Sequence, residues 1–190
     1  MRGAPVRDLL VAPSITKKAT VTGTVRTGSE VTCSAAWSGY HATGVWSWLR
    51  DGRTVPGATG TARTLTPDDY THTISCRVVV GNGAGSVGST SPAVPVGAGP
   101  SPKAVKAPSL SGTPGVGHRL TAGHGTWSPE ATSYSYSWRR DGKAITGATA
   151  SGYVLVLVKA DRGRKITVTV TAHRYGWTNG SATTAPAAVH

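Results

Sequence analysis

The chain repeats itself, and the repeat limits what it can fold into more than any single motif does. Ala12-Pro13-Ser14-Ile15 returns as Ala107-Pro108-Ser109-Leu110, and Trp37-Ser38 returns as Trp127-Ser128. Trp48-Leu49-Arg50-Asp51-Gly52 returns as Trp138-Arg139-Arg140-Asp141-Gly142. Gly57-Ala58-Thr59 matches Gly147-Ala148-Thr149, and Ile74-Ser75-Cys76-Arg77-Val78 matches Ile166-Thr167-Val168-Thr169-Val170. The offset drifts only between 89 and 95 residues, so few insertions separate the copies. The 190 residues therefore hold two versions of one module. Each is long enough for a small β-sandwich of about 85–100 residues with its own core.

Local pattern sets the class of each copy. With 25 Gly, 12 Pro and no Phe, long helices are disfavoured, while the many Thr and Val favour strands. Tyr134, Tyr136 and Trp138 alternate with Ser133, Ser135 and Ser137, which puts three aromatics on one face of a strand. Ile166 to Thr171 alternates in the same way. Val21–Val25 and Glu30–Ala35 read as early strands around Thr27-Gly28. Asp51-Gly52 and Asp141-Gly142 read as turns with positive φ, and Asn82-Gly83 and Asn179-Gly180 mark the last hairpin of each copy. The expectation is an all-β chain of two tandem sandwiches with seven short strands in each. Its parts are an N-terminal arm (1–11), a first domain (12–96), an extended Pro/Gly linker (97–106) and a second domain (107–190).

Charge is abundant and uneven. The formal net charge is +12. Residues 1–100 carry nine Lys/Arg against five acids, and residues 101–190 carry eleven against three. A basic surface draws anionic partners, although it also serves solubility. No run of Lys/Arg is interleaved with aromatics, which argues against specific nucleic-acid binding. No apolar run approaches the ~20 residues of a membrane span. Near the N-terminus the only apolar stretch is Leu9–Ala12, shorter than the ~7–15 residues of a secretory signal. Either a leader has been removed or the protein reaches its place without one.

Copy 1 places Cys33, Trp48 and Cys76 in the order and spacing of an immunoglobulin domain. Both copies resemble the immunoglobulin-like repeats of actinobacterial surface proteins and of actinobacteriophage virion proteins. The phrases that carry this are Gly125-Thr126-Trp127-Ser128-Pro129, Trp138-Arg139-Arg140-Asp141-Gly142, Ile145-Thr146-Gly147-Ala148-Thr149 and Asp161-Arg162-Gly163. The resemblance implies a Cys33–Cys76 disulfide between the two sheets, with Trp48 packed on it and Trp138 in the matching core position. Two reduced, buried thiols are the alternative if the protein matures in a cytoplasm. Copy 2 has Ala122 and Val168 where the cysteines stand, so packing alone must hold it. Ile74 and Ile166 occupy the place of the usual corner tyrosine, which leaves that corner absent or shifted to Tyr70.

Catalytic signatures are missing. There is no G-x-S-x-G, P-loop, dinucleotide fingerprint or H-E-x-x-H, and the six His have no metal-ligand spacing. Asp68-Asp69 precede a strand, where Asp supports turns. No cofactor, metal site or enzyme activity is expected. Trp46 and Tyr136 share faces with the core tryptophans. Trp177 has no counterpart in copy 1, and it joins Arg174 and Tyr175 in the last inter-strand loop as a candidate binding loop. The resemblance implies a display or structural role in a virion, as a head decoration or tail protein. Its partners would be capsid or tail proteins, an anionic cell-surface polymer, or further copies of the chain in the assembly. The alternative is a piece of a secreted cell-surface protein acting as adhesin, glycan-binding module or stalk spacer.

Overall fold

The computed structural model describes residues 11–150 and 152–190. All but Val11 of the expected N-terminal arm lies outside the described residues. The chain divides into two units, Met1–Gly99 and Pro100–His190.

In the first unit the strands are β1 (Ser14–Gly23), β2 (Glu30–Ser38), β3 (Thr43–Arg50), β4 (Arg53–Thr54), β5 (Ala62–Thr64), β6 (Thr73–Asn82), β7 (Gly85–Thr90) and β8 (Val94–Pro95). One sheet runs β1-β2-β5 and the other β4-β3-β6-β7, with β8 beside β6. This two-sheet antiparallel arrangement is an immunoglobulin-like sandwich. Side-chain alternation explains it. Val31 and Cys33 on β2 point inward, as do Ile74, Cys76, Val78 and Val80 on β6, all buried, while most residues between them reach the outer faces. Burying each of these large aliphatic side chains contributes about 1.5–3 kcal/mol.

The second unit has β9 (Lys103–Lys106), β10 (Ser109–Ser111), β11 (Arg119–Gly123), β12 (Thr126–Ser128), β13 (Ser133–Arg140), β14 (Lys143–Ala150), β15 (Val154–Val156), β16 (Lys165–His173), β17 (Gly180–Thr183) and β18 (Ala187–Ala188). Its sheets are β10-β11-β15 and β14-β13-β16-β17, with β18 beside β16 and a separate β9-β12 pair. Ile166, Val168, Val170 and Ala172 form the inward row of β16 around the fully buried Trp138. Among the described residues each unit has one 3-10 turn, Pro67–Asp69 and Lys159–Asp161, leading into the long strand of its second sheet.

Two expectations are corrected. Among the described residues the units have eight and ten strands, where the sequence suggests seven in each. In unit 1 the first strand stays whole but shifts register between Ile15 and Lys17 and between Lys17 and Thr20. In unit 2 the same path breaks into β9 and β10 around Pro108, which has no N–H for a ladder, and its partner breaks into β11 and β12 around Gly125 at φ +74°. The second correction concerns the linker 97–106. Gly97 exchanges backbone hydrogen bonds with Val25 and Thr27, and Lys103–Lys106 pairs with β12. Pro102 is buried against Gly180, where a Cβ would come within 2.1 Å of the Pro102 carbonyl oxygen. Backbone pairing thus takes up both ends of a segment whose prolines suggest an extended, semi-rigid spacer.

Candidate functional site

The strand register superimposes the cores of the two units but corrects one of the repeats. Leu110 pairs with Ala122 as Val21 pairs with Cys33, and Ala104 pairs with Trp127 as Ile15 pairs with Trp37, so Ala107–Leu110 is not the counterpart of Ala12–Ile15. Trp48 stands opposite Cys76, and Trp138 stands opposite Val168. Cys33 donates its backbone N–H to Thr61, as Ala122 does to Tyr153. Cys33 and Cys76 are disulfide-bonded across the sheets, with Cα atoms 6.1 Å apart. Trp48 and Trp138 are both fully buried, and their indole N–H groups donate to Gly60 and Gly152 carbonyls at 3.2 and 2.9 Å. Beside the first core, Trp46 packs against Trp37 with ring centroids 6.1 Å apart. Gly44 makes that possible, since a Cβ there would lie 2.9 Å from the Trp37 ring.

Each unit also buries one carboxylate at the 3-10 turn. Asp69 receives Arg50 Nε at 2.8 Å, Arg63 Nη2 at 2.9 and 3.0 Å, and the Thr66 backbone N–H at 2.9 Å. Burial works to raise its pKa, but the Thr66 and Arg50 hydrogen bonds and the Arg63 charge outweigh that and hold the carboxyl below the usual range. Asp161 takes the same place in unit 2, accepting Arg140 Nε at 2.6 Å and the Val158 N–H at 2.8 Å. In the place of Arg63 unit 2 has Leu155, since Val31↔Arg63 and Leu120↔Leu155 are matching pairs. These two acids anchor the turn below the long strand, and in unit 1 the half-buried Tyr70 follows directly after it. Sequence reasoning placed Asp69 in a turn but did not see its burial. The signal available was an Asp recurring 92 residues later behind a repeated Trp-x-Arg-Asp-Gly.

The hairpins that end in those Arg residues form a second recurrent feature. Asp51 and Asp141 sit at φ +48° and +45°, followed by Gly52 and Gly142 at +77° and +79°. Asp51 accepts the Thr73 N–H and pairs with His72, while Asp141 accepts the Lys165 N–H and pairs with Arg164 at 3.2 Å. In both, the backbone N–H is the main cause that lowers the carboxyl's pKa. A shallow cleft opens beside each hairpin, bordered by Arg50, Asp51 and Arg53 in unit 1 and by Arg140, Asp141, Lys143 and Arg164 in unit 2.

The structure brings Arg174, Tyr175 and Trp177 together in the loop between β16 and β17. The Arg174 guanidinium lies 4.6 Å from the Trp177 ring centroid and donates to the Glu130 carbonyl. Trp177 is half-buried, whereas Tyr175 is 66% exposed. Ser101 and Thr178 share a hydroxyl hydrogen bond at 2.9 Å, so the loop stands beside the segment through which the chain enters this unit. Asn179-Gly180 lies in the β16–β17 hairpin, as expected, where it closes a six-residue loop: Asn179 Oδ1 pairs with His173 Nδ1 and Gly180 opens β17. A true two-residue connection occurs in unit 1, where Asn82 pairs with Gly85.

Among the described residues no group of three or more His, Cys, Asp or Glu is placed to hold a metal ion, and no helix is long and apolar enough to cross a membrane. No protein-family model and no curated protein sequence matches the chain. Among solved structures, the titin domains Z1Z2 in complex with telethonin are similar at 21% identity, with a TM-score of 0.43, covering 95% of this chain and 98% of that one. Tandem immunoglobulin repeats of Dlar are similar at 16% identity, with a TM-score of 0.33, covering 94% and 98%. A Dscam structure concerned with isoform specificity is similar at 17% identity and a TM-score of 0.36, covering 96% of this chain and 47% of that one. At these identities and TM-scores the likeness carries no argument about what the chain binds. The chain's own sheets and register make it a tandem of two immunoglobulin-like β-sandwiches.

Proposed function

We propose that the protein is a non-catalytic display component, which presents two sandwich modules from an assembly and offers the second to an anionic surface. The observation that carries this is the division of labour between the units. They share one framework, yet residues 101–190 hold eleven Lys/Arg against three acids, while residues 1–100 hold nine against five. Framework residues explain the core tryptophans, the disulfide and the buried aspartates, so the excess charge belongs to the surface of the second unit. The loop of Arg174, Tyr175 and Trp177 adds an aromatic contact there. With the guanidinium engaged by Trp177 and Glu130, the outward group is Tyr175.

We place this component in a virion, as a head decoration or tail protein, on the resemblance carried by Gly125–Pro129 and Trp138–Gly142. A second reading, a secreted cell-surface adhesin or stalk spacer, is favoured by the Cys33–Cys76 bond, because disulfides persist in oxidising compartments. Immunogold labelling and mass spectrometry of density-purified particles, beside a cell-wall fraction, test the placement. Label on the particles supports the virion; label confined to the cell wall overturns it in favour of the second reading.

A further inference from the structure

Superimposing the two units shows where the second unit's charge has been gathered. At the end of each sandwich that carries the β3–β4 or β13–β14 hairpin and the 3-10 turn, the framework acids and their Arg partners are kept. The residues around them are not. Glu30, the residue before buried Val31, becomes Arg119 before buried Leu120. Pro67, Asp68 and Tyr70 around Asp69 become Lys159, Ala160 and Arg162 around Asp161. His72 and Thr73, which contact Asp51, become Arg164 and Lys165, which contact Asp141. Over these matched positions, with Arg53 against Lys143 and Arg63 against Leu155, unit 1 has three Arg and four acids. Unit 2 has seven cations and two acids.

Both of those acids are occupied, Asp161 by Arg140 and Asp141 by Arg164. Among the described residues, Lys143, Lys159, Arg162 and Lys165 have no ion-pair partner, and all four are exposed. Repulsion among unpaired like charges works against folding, so collecting them on one end of a stable framework is a cost without a structural return. We infer that the hairpin end of the second unit, built from Arg119, Lys143, Lys159, Arg162 and Lys165, is a binding surface for a linear phosphate-bearing polyanion. This rests on the display reading above and names the surface that meets the anionic polymer.

The chemistry narrows the occupant. The cleft at this end is shallow and solvent-open and lined by surface side chains, so it cannot enclose a single phosphate. Affinity must come from several charges on one chain engaged together. Arg forks and Lys ammonium groups both suit phosphate oxygens. None of the seven Trp and Tyr of the second unit lies on the segments 139–143 or 158–165, and the adjoining Trp138 is buried. With no platform on which bases could stack, nucleic acid gains nothing over a plain polyphosphate.

The test uses the full chain and fluorescently labelled long-chain inorganic polyphosphate, followed by anisotropy. Four to five phosphate contacts predict a fall in affinity of roughly 50-fold or more between 50 and 200 mM salt, and orthophosphate should not compete at matched charge. Replacing Lys143, Lys159, Arg162 and Lys165 with Gln should reduce affinity by roughly 50-fold or more, with an unchanged melting profile to confirm folding. A control variant should bind like the parent: K103E/K106E, which removes the same net charge elsewhere on the unit. If the parent binds polyphosphate but the quadruple variant binds equally, this surface is overturned while the display reading stands. If the parent binds no polyphosphate at any salt, both fall. If single-stranded DNA binds more than about tenfold tighter than polyphosphate of equal charge, the ligand class assigned here is wrong.

Discussion

Reducing the Cys33–Cys76 bond should destabilise one unit and leave the other untouched. The bond closes a loop with a sequence separation of 43 residues. In the chain-entropy account, opening a loop of that size frees about 13 cal/mol/K in the unfolded chain, or about 4 kcal/mol at 25 °C. For a domain of this size that corresponds to a fall in melting temperature of roughly 15–30 °C. The second unit has Ala122 and Val168 at the matching places and no sulfur to lose. The variant C33A/C76V gives the first unit the second unit's own residues, so it removes the crosslink while keeping an apolar filling between the sheets. Scanning calorimetry of the full chain, with hydrogen exchange to assign each transition, should show one transition moving by that amount and the other by less than about 2 °C. Dithiothreitol should reproduce the variant. An equal fall in both transitions would mean that the repeats are wrongly superimposed. No fall in either would mean that packing around Trp48 carries the first unit without the bond.

Buried Asp69 gives the first unit a pH signature. Asp69's carboxyl is held below its ordinary value, so its contribution is present above about pH 4, where it would ionise in the unfolded chain, and is lost as pH falls through the folded value. D69N should therefore cost about 3–5 kcal/mol at neutral pH, by leaving Arg50 and Arg63 without their acid. It should also flatten the acid limb of the first transition; an unchanged limb in urea titrations from pH 7 to 2 would refute the role. Trp138→Ala should cost about 3–5 kcal/mol in the second transition alone, and a loss shared by both units would contradict two separate cores. R174A/W177A removes a partly exposed cation–π pair and a bracing hydrogen bond, which predicts a loss of about 1–2 kcal/mol by urea unfolding. A neutral result there would show that the pair does not hold the loop.

Much of the fold could be read before any coordinates because it is written in periodicities. The alternation Tyr134, Tyr136, Trp138 and the row Ile166, Val168, Val170 state which face is inside, and the repeat says it twice. Strand continuity was harder, since it depends on single residues such as Pro108 and Gly125 that interrupt a ladder without disturbing the pattern on either side. The stretch Gly97–Lys106 misled for the opposite reason. Its prolines suggest a spacer, but Lys103–Lys106 is free of proline and finds β12 as a partner. The burial of Asp69 and Asp161 depends on Arg50, Arg63 and Arg140 arriving from distant strands, which no local window contains. The charged end of the second unit was visible only as a net excess. Its position emerged when the register set Glu30 against Arg119 and Thr73 against Lys165.

The central claim is that one framework serves both units and that a few surface substitutions make the second one a polyanion binder. Transferring those substitutions tests it most directly. The variant E30R/P67K/D68A/Y70R/H72R/T73K gives the first unit the second unit's residues at six matched positions, while keeping Arg50, Asp51 and Asp69 in place. Titration calorimetry with short inorganic polyphosphate should then find two binding sites on each chain instead of one, with affinities within about fivefold of each other, as expected from a similar number of phosphate contacts. A variant that folds, shows both melting transitions and still binds at a single site would contradict the claim.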